Sequence, residues 1–205
     1  STSKQCMTLT AAITAGTGTS IAADDVSSVF YQKVKLDVGG DGATLPVSAT
    51  ANAIPVKALD DVITIDATPD TNALAEGDVA FATQEVANFS TGANITSILQ
   101  SVTVIDVDDQ GIGIDLIFFN DNTTLGTENS APDIDDTEAQ TIIGRVQVGA
   151  GSFYDIGASK IACVYGIGLP MKAGTGGSIW MAGIARGAPT YAGGHIYIKL
   201  GVLRN

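Results

Sequence analysis

Carboxylates cluster in the turn at residues 106–111, which ends in a glycine. This composition resembles a calcium-binding loop, because Ca²⁺ takes carboxylate and carbonyl oxygens as ligands. An EF-hand needs Asp or Asn at its fifth position and a bidentate Glu at its twelfth, but Gln110 and Ile117 stand there. The sequence therefore excludes an EF-hand. The simplest interpretation is a solvated turn without a metal ion, and a calcium site of another kind is left open.

A second acidic cluster begins the one segment with a helical pattern, residues 133–143. Asp135 can cap this helix, and Glu138 three residues later completes a capping box. Gly144 ends the pattern. We therefore interpret the acids of this cluster as helix-capping groups rather than as metal ligands. They are Asp133, Asp135, Asp136 and Glu138.

His195 is the one histidine of the chain and the natural candidate for a general base. A catalytic triad also needs a nucleophile and an orienting carboxylate beside it, and no G-x-S-x-G motif provides the nucleophile. Cys6 and Cys163 form neither a metal-ligand pattern nor a disulfide framework. The glycines at 174–177 match no phosphate-binding fingerprint. We predict that the protein is not an enzyme and has no catalytic residue, no cofactor and no metal.

Charge is distributed unevenly along the 205 residues, whose net charge is −12. No Lys or Arg lies between Lys57 and Arg145, a segment with 17 acids, whereas the residues from Arg145 onwards carry six bases and one acid. An acidic surface repels nucleic acid and anionic lipid, so we expect neither as a partner. We expect the acidic middle to face solvent and the basic last third to lie closer to a protein partner.

Period-two apolar patterns between glycine-rich and proline-rich turns predict strands along most of the chain. The strongest pattern is at 95–120, where two apolar runs flank the acidic turn and predict the core β-hairpin. The second run is apolar on both faces near its end, which is typical of a strand that is buried on both sides. Other strands are predicted at 30–38, 78–90, 145–148, 161–169, 178–185 and 195–203.

This spacing predicts a mainly β fold, an antiparallel, jelly-roll-like β-sandwich with one short helix and an extended N-terminal arm. Residues 1–25 are small and nearly uncharged and are predicted to form the arm. Residues 26–75 are expected to be a strand and an extended linker region that contributes to assembly contacts, and residues 76–205 the sandwich body. Residues 1–20 lack a signal-peptide pattern, and no apolar run is long enough to predict a transmembrane helix.

Several phrases of the sequence are distinctive when taken together. They are FYQKVKL at 30–36 with GGDG at 39–42, LQSVTVID at 99–106 with DLIFF at 115–119, GIARGAPTY at 183–191, and IKLGVL at 198–203. These phrases resemble segments of the virion structural proteins of tailed bacteriophages. The resemblance covers most of residues 28–205 and leaves the arm outside. It implies a decoration or auxiliary head protein that binds and stabilises the outer capsid shell.

The resemblance also implies where the protein works and what it binds. Its partners would be the major capsid protein and copies of itself, with a trimer as one arrangement. It would assemble in the host cytoplasm and lie on the outer surface of the virion head, where reduced cysteines fit the compartment. The residues expected to contact partners are Phe30, Tyr31, Lys33, Lys35, Lys172 and Arg186.

A second hypothesis is a β-sandwich protein of the tail or adsorption apparatus that binds a host-surface glycan. Such a protein needs exposed aromatic side chains along a groove, and Trp180 and Tyr191 are the candidates.

Overall fold

A computed structural model describes residues 23–26, 29–32, 59–193 and 195–204 of the chain. Most of the predicted arm, and the predicted contact residues Lys33 and Lys35, lie outside the described residues. The chain divides into two compact units, residues 1–55 and 56–205. The domain boundaries predicted at residues 25 and 75 stay predictions.

The first unit contains a short antiparallel hairpin. Strand β1 is Ala23–Val26 and strand β2 is Val29–Gln32, with Ala23 opposite Gln32. The predicted contact residues Phe30 and Tyr31 belong to β2.

The second unit is a sandwich of two antiparallel sheets, which confirms the predicted fold class. One sheet has four strands in the order β4-β10-β6-β7, and the other has five in the order β3-β11-β5-β9-β8. Helix α1 is the short segment Asp136–Ala139. The strands are β3 Leu59–Ala67, β4 Val79–Val86, β5 Thr96–Asp106, β6 Gly113–Phe119, β7 Ile142–Val148, β8 Phe153–Asp155, β9 Lys160–Lys172, β10 Ile179–Arg186 and β11 Ile196–Arg204.

The hydrophobic core lies between the two sheets. Leu116 and Phe118 of β6 pack from one sheet, and Val102 and Leu200 pack from the other; all four are fully buried. Burying such side chains stabilises the fold by about 1.5–3 kcal/mol each. A second, smaller cluster lies on the opposite face of β6 and includes Phe119, so β6 is buried on both faces as the sequence predicted.

The hairpin predicted at 95–120 is wrong. Strand β5 is an inner strand of the five-stranded sheet, whereas β6 is an inner strand of the four-stranded sheet. The connection at 107–112 crosses from one layer to the other. Within it, the Asp106 carboxylate accepts from the backbone N–H groups of Asp108 at 3.0 Å and Gly111 at 2.8 Å. These bonds stabilise a six-residue crossing instead of a two-residue hairpin turn.

Strand β5 contains a β-bulge, so its side chains do not alternate between the two faces as the sequence predicted. Residues before and after Gln100 differ in phase, since Leu99 pairs with Val202 and Ser101 pairs with Gly201. The extra residue shifts the pattern by one position. Leu99 is therefore buried in the core, and Ile98 is exposed, although the sequence placed Ile98 on the face of Val102.

The helix is shorter than the predicted 133–143. It begins at Asp136 as the capping box requires, but it ends at Ala139, and β7 begins at Ile142. β-Branched side chains at positions 141–143 lower helix propensity and favour a strand. Residues 142–143 therefore belong to strand β7, which pairs with β6, and not to the helix.

Strand β3 lies in the segment that the sequence assigned to the extended linker. It pairs with β11 over its full length and forms one edge of the five-stranded sheet. Pro55 precedes it by four residues, outside the paired stretch.

Candidate functional site

The acidic turn at 106–111 directs its carboxylates to different partners. Asp106 is 2% exposed and holds the turn's own backbone, as described above. Asp108 accepts from the N–H of Ala192 at 3.1 Å. Lys160 donates to the carbonyl oxygen of Asp109 at 2.7 Å and lies 3.4 Å from its carboxylate. Asp106 thus stabilises the turn itself, and Asp108 and Asp109 connect it to the rest of the chain. The described residues contain no cluster that could hold a metal ion.

Tyr191 closes the same end of the sandwich. It is 2% exposed and packs in the main core. Burial raises the pKa of Tyr191, and the nearby Asp106 and Asp108 carboxylates raise it further. Trp180 is half-buried against the smaller cluster. The prediction that Tyr191 and Trp180 line an exposed glycan groove is therefore wrong. Tyr191 is buried in the core, and Trp180 is half-buried against the smaller cluster.

A fully buried carboxylate on the four-stranded sheet is the main feature that the sequence did not predict. Asp115 is 0% exposed in the middle of β6. Its Oδ2 accepts from Arg145 of β7 at 2.8 Å and from Nε of Arg186 of β10 at 2.7 Å. Both arginines are diagonal cross-strand neighbours of Asp115, so antiparallel register alone aligns them. The signal in the sequence was a single acid within the apolar run at 112–119.

The two arginines join three strands of the sheet at the buried carboxylate. Two cations beside one carboxylate compensate the large cost of removing its charge from water. The arginine side chains are 51% and 39% exposed, so solvent reaches their outer nitrogens. Arg186, a predicted partner-contact residue, thus has a role within the fold, and its predicted contact stays a prediction.

His195 lies at the surface at the start of β11. Its Nδ1 is 2.7 Å from Oδ1 of Asp66 on β3, and its ring stacks on Tyr197 with centroids 5.9 Å apart. The histidine side chain is 42% exposed. This contact ties the edge strand β3 to its neighbour, as expected for a surface histidine.

The second acidic cluster caps α1, as predicted. One carboxylate oxygen of Asp135 accepts from the N–H groups of Thr137 and Glu138, both at 2.7 Å. The Glu138 carboxylate accepts from the Asp135 N–H at 3.0 Å. The loop that carries α1 covers the smaller hydrophobic cluster with Leu125 and Ile134.

Basic residues in the last third of the chain form ion pairs with acidic residues of the middle segment. Besides the pairs already described, Arg204 lies 2.5 Å from Asp61. At these positions the acidic middle segment and the basic last third lie side by side in the fold, so their charges are not separated onto two opposite faces. Lys172 and Lys199 take no part in the ion pairs between described residues.

No helix in the described part of the chain is long and apolar enough to cross a membrane. No protein-family model matches the chain, and no curated protein matches it.

Three solved structures of viruses are similar to the chain at low identity. A chain of the native Kashmir bee virus virion at acidic pH is 11% identical, covers 93% of this chain and 91% of that one, and has a TM-score of 0.29. A chain of the Israeli acute paralysis virus full particle heated to 63 degrees is 10% identical, with coverages of 93% and 91% and a TM-score of 0.29. A chain of Desmodium yellow mottle tymovirus is 14% identical, with coverages of 83% and 94% and a TM-score of 0.24. None is described as a tailed-phage protein, and at TM-scores this low the function is inferred from the chain's own residues.

Proposed function

We propose that the chain is a non-enzymatic structural protein of a virus particle, a decoration protein that binds and stabilises the outer capsid shell of a tailed phage. The observation that carries the proposal is how the candidate chemical groups are used. Asp106 holds a crossing connection, Asp135 caps a helix, Asp115 anchors two strands and His195 ties down an edge strand. Each group supports the body of the sandwich, which suits a protein that serves by binding.

The tailed-phage assignment is supported by the sequence phrases that resemble virion proteins of that class. Two of those phrases fall on strands, since DLIFF lies in β6 and IKLGVL lies in β11. The partners we propose are the major capsid protein and further copies of this chain, arranged symmetrically, with a trimer as one form.

Residues 1–25 and the segment with Phe30, Tyr31, Lys33 and Lys35 are the proposed arm contacts with the shell. An extended segment can add to a neighbouring sheet through backbone hydrogen bonds. Lys172, at the exposed end of β9, is the proposed contact of the sandwich body, together with Arg186.

The proposed location is the outer surface of the virion head, after assembly in the host cytoplasm. Cryo-microscopy and quantitative mass spectrometry of purified particles test this directly. We expect density for the sandwich on the head shell and a copy number in a fixed ratio to the major capsid protein. Density on the tail alone contradicts the decoration role, and absence from the particle contradicts the virion role.

The partner contacts are tested by adding the full chain back to particles that lack it. Deletion of residues 1–25 should weaken or abolish binding. Lys172→Glu should weaken binding, whereas Lys172→Arg, which keeps the charge, should retain it. Binding that both the deletion and Lys172→Glu leave unchanged contradicts the assigned contact residues.

A further inference from the structure

The outer face of the five-stranded sheet is exposed and has few charges. Tyr154 and Tyr165 are 72% and 75% exposed, and Val62 is 62% exposed on the same face. Ile98 and Leu203 are also exposed, on the two strands between β3 and β9, one register step beyond Val62 and Tyr165. Contiguous exposed apolar side chains of this kind mark interaction surfaces, whereas scattered ones are ordinary.

One row of residues crosses four strands of this face at the same level. The register pairs Val62 with Gly201, Gly201 with Ser101, and Ser101 with Tyr165. The row therefore has a small centre, a projecting tyrosine on the β9 side and a glycine on the β11 side. A Cβ at position 201 would collide with Oγ of Ser101, so the serine hydroxyl lies against the bare backbone of Gly201.

A hollow of about 500 Å³ opens beside Gly201. Its lining residues are Asp61, Val62, Gln100, Gly201, Val202 and Leu203. The hollow is open, partly apolar and lies two strands away from Tyr165, at about 4.8 Å per strand.

Strand β5 is the middle strand of the sheet, with β11 on one side and β9 on the other. A two-fold axis that runs along β5 exchanges these two positions between two copies packed face to face. In that arrangement Tyr165 of each copy lies over Gly201 of the other. A two-fold interface requires this kind of self-complementarity, in which the projection and the hollow lie on one surface.

A second row supports the same axis. It runs from Asp66 through Tyr197, Ile105 and Ile161 to Tyr154. The axis places Tyr154 of one copy over Asp66 of the other, where its phenol O–H can donate to the carboxylate. It also places Tyr197 over Ile161, an aromatic side chain against an aliphatic one.

The size of the face fits a stable pair. Five strands at about 4.8 Å spacing and about nine residues at 3.4 Å give roughly 700 Å² per copy. A standard interface uses about 800 Å² per partner. Lys199 is the cation in the middle of the face, and its four-carbon stem can carry the ammonium to the rim.

We propose that this face is a self-association surface, on which a second copy of the chain packs by two-fold symmetry with Tyr165 in the hollow at Gly201. The pairing goes beyond shell binding and is a property of the isolated full chain. It differs from a trimer, because its axis is two-fold.

Sedimentation velocity and light scattering of the full chain at several micromolar concentrations test the pairing. We expect twice the chain mass of 20.8 kDa. Tyr165→Ser and Val62→Glu should each raise the dimer dissociation constant by about tenfold or more, because one removes a buried aromatic and the other buries a charge. Ile142→Ser removes an exposed apolar side chain from the other sheet and should leave the mass unchanged.

A mixture of two variants distinguishes a second copy from any other occupant. Val62→Glu and Tyr165→Lys should each be monomeric alone. Mixed, they should form a one-to-one heterodimer, since one contact becomes a Glu–Lys pair and the other stays native. Native mass spectrometry resolves this species. The proposal is overturned if the wild-type chain is monomeric, if its oligomer is unaffected by both variants, or if the mixture forms no heterodimer. A monomeric wild-type chain is the result expected if the face is covered by residues 1–58 or binds another protein instead.

Discussion

Nε of Arg186 donates to Oδ2 of Asp115 over 2.7 Å and joins the end of β10 to the middle of β6. Arg145 reaches the same oxygen from β7, on the other side of β6. Three of the four strands of one sheet thus meet at a single fully buried oxygen. Because both arginines come from the basic last third and the acid comes from the base-free middle, this contact shows how the uneven charge of the sequence is neutralised locally.

Removing both arginines should destabilise the protein more than removing the acid. The double variant Arg145→Ala with Arg186→Ala leaves a buried carboxylate without a cation, and we expect it to lose about 3–5 kcal/mol of unfolding free energy. Asp115→Ala leaves two arginines that can reach water, so its loss should be smaller. Urea denaturation measures both; equal losses contradict the structural role of the charge.

The same geometry affects the design of binding experiments. Charge reversal at Arg186 would place two acids beside each other and perturb the sheet, so loss of partner binding there would not isolate the contact. Lys172 takes no part in the ion pairs of the described residues and offers the cleaner test.

Asp106 should contribute to stability as a backbone acceptor. Asp106→Ala leaves the N–H groups of Asp108 and Gly111 without their bonds, and we expect a loss of about 1–3 kcal/mol. Glu76→Ala, at an exposed turn position, is the control and should change stability little. Calcium and chelator should leave the melting temperature of the wild-type protein unchanged, since the turn's carboxylates hold protein partners. A rise in melting temperature with calcium would reveal a metal site in this turn.

Local patterns predicted the elements, and long-range pairing decided where they lie. Apolar residues on both faces identified β6 as a buried strand, and Asp135 with Glu138 identified the start of α1. The position of β5 and β6 in different sheets could not be predicted, because the turn between them also fits a hairpin and the choice depends on partners far away in sequence. The bulge at Gln100 could not be predicted for the same reason, since it depends on the pairing of β5 with both neighbouring strands, β11 and β9.

Asp115 illustrates the limit for sites. A single acid in an apolar strand indicates a buried charge that needs partners, but its partners lie 30 and 71 residues away in sequence. The exposed face of the five-stranded sheet was equally hidden, because its members come from five strands whose order the sequence does not determine.

Close backbone approach at Gly174 should make this position intolerant of a side chain. A Cβ there would collide with the carbonyl oxygen of Asn120, which the backbone bond from Asn120 N–H to Thr141 holds in place. We expect Gly174→Ala to cost about 1–3 kcal/mol, as overpacking does. Gly151→Ala is the matched control, since a Cβ at that position meets nothing within 4 Å. Thermal unfolding compares them, and equal melting temperatures contradict the close approach.

The raised pKa of Tyr191 should make the protein less stable at alkaline pH. Burial favours the neutral phenol in the folded state, whereas the unfolded chain ionises at the ordinary pKa of 10.0. The contribution is therefore fully present below pH 10 and is lost as pH rises from 10 towards the folded-state pKa. Above pH 10 we expect the free energy of unfolding to fall by up to about 1.4 kcal/mol per pH unit from this residue.

Tyr191→Phe should remove that part of the alkaline slope, because the phenylalanine ring fills the same core position without an ionisable group. Tyr154→Phe serves as the control at protein concentrations low enough to keep the chain monomeric, since Tyr154 is then 72% exposed and lies outside the core, and it should keep the wild-type slope. Urea denaturation between pH 8 and pH 11, a window around the ordinary tyrosine pKa of about 10, gives the slopes. A Tyr191→Phe variant that loses stability above pH 10 as steeply as the wild type would show that other groups control the alkaline transition.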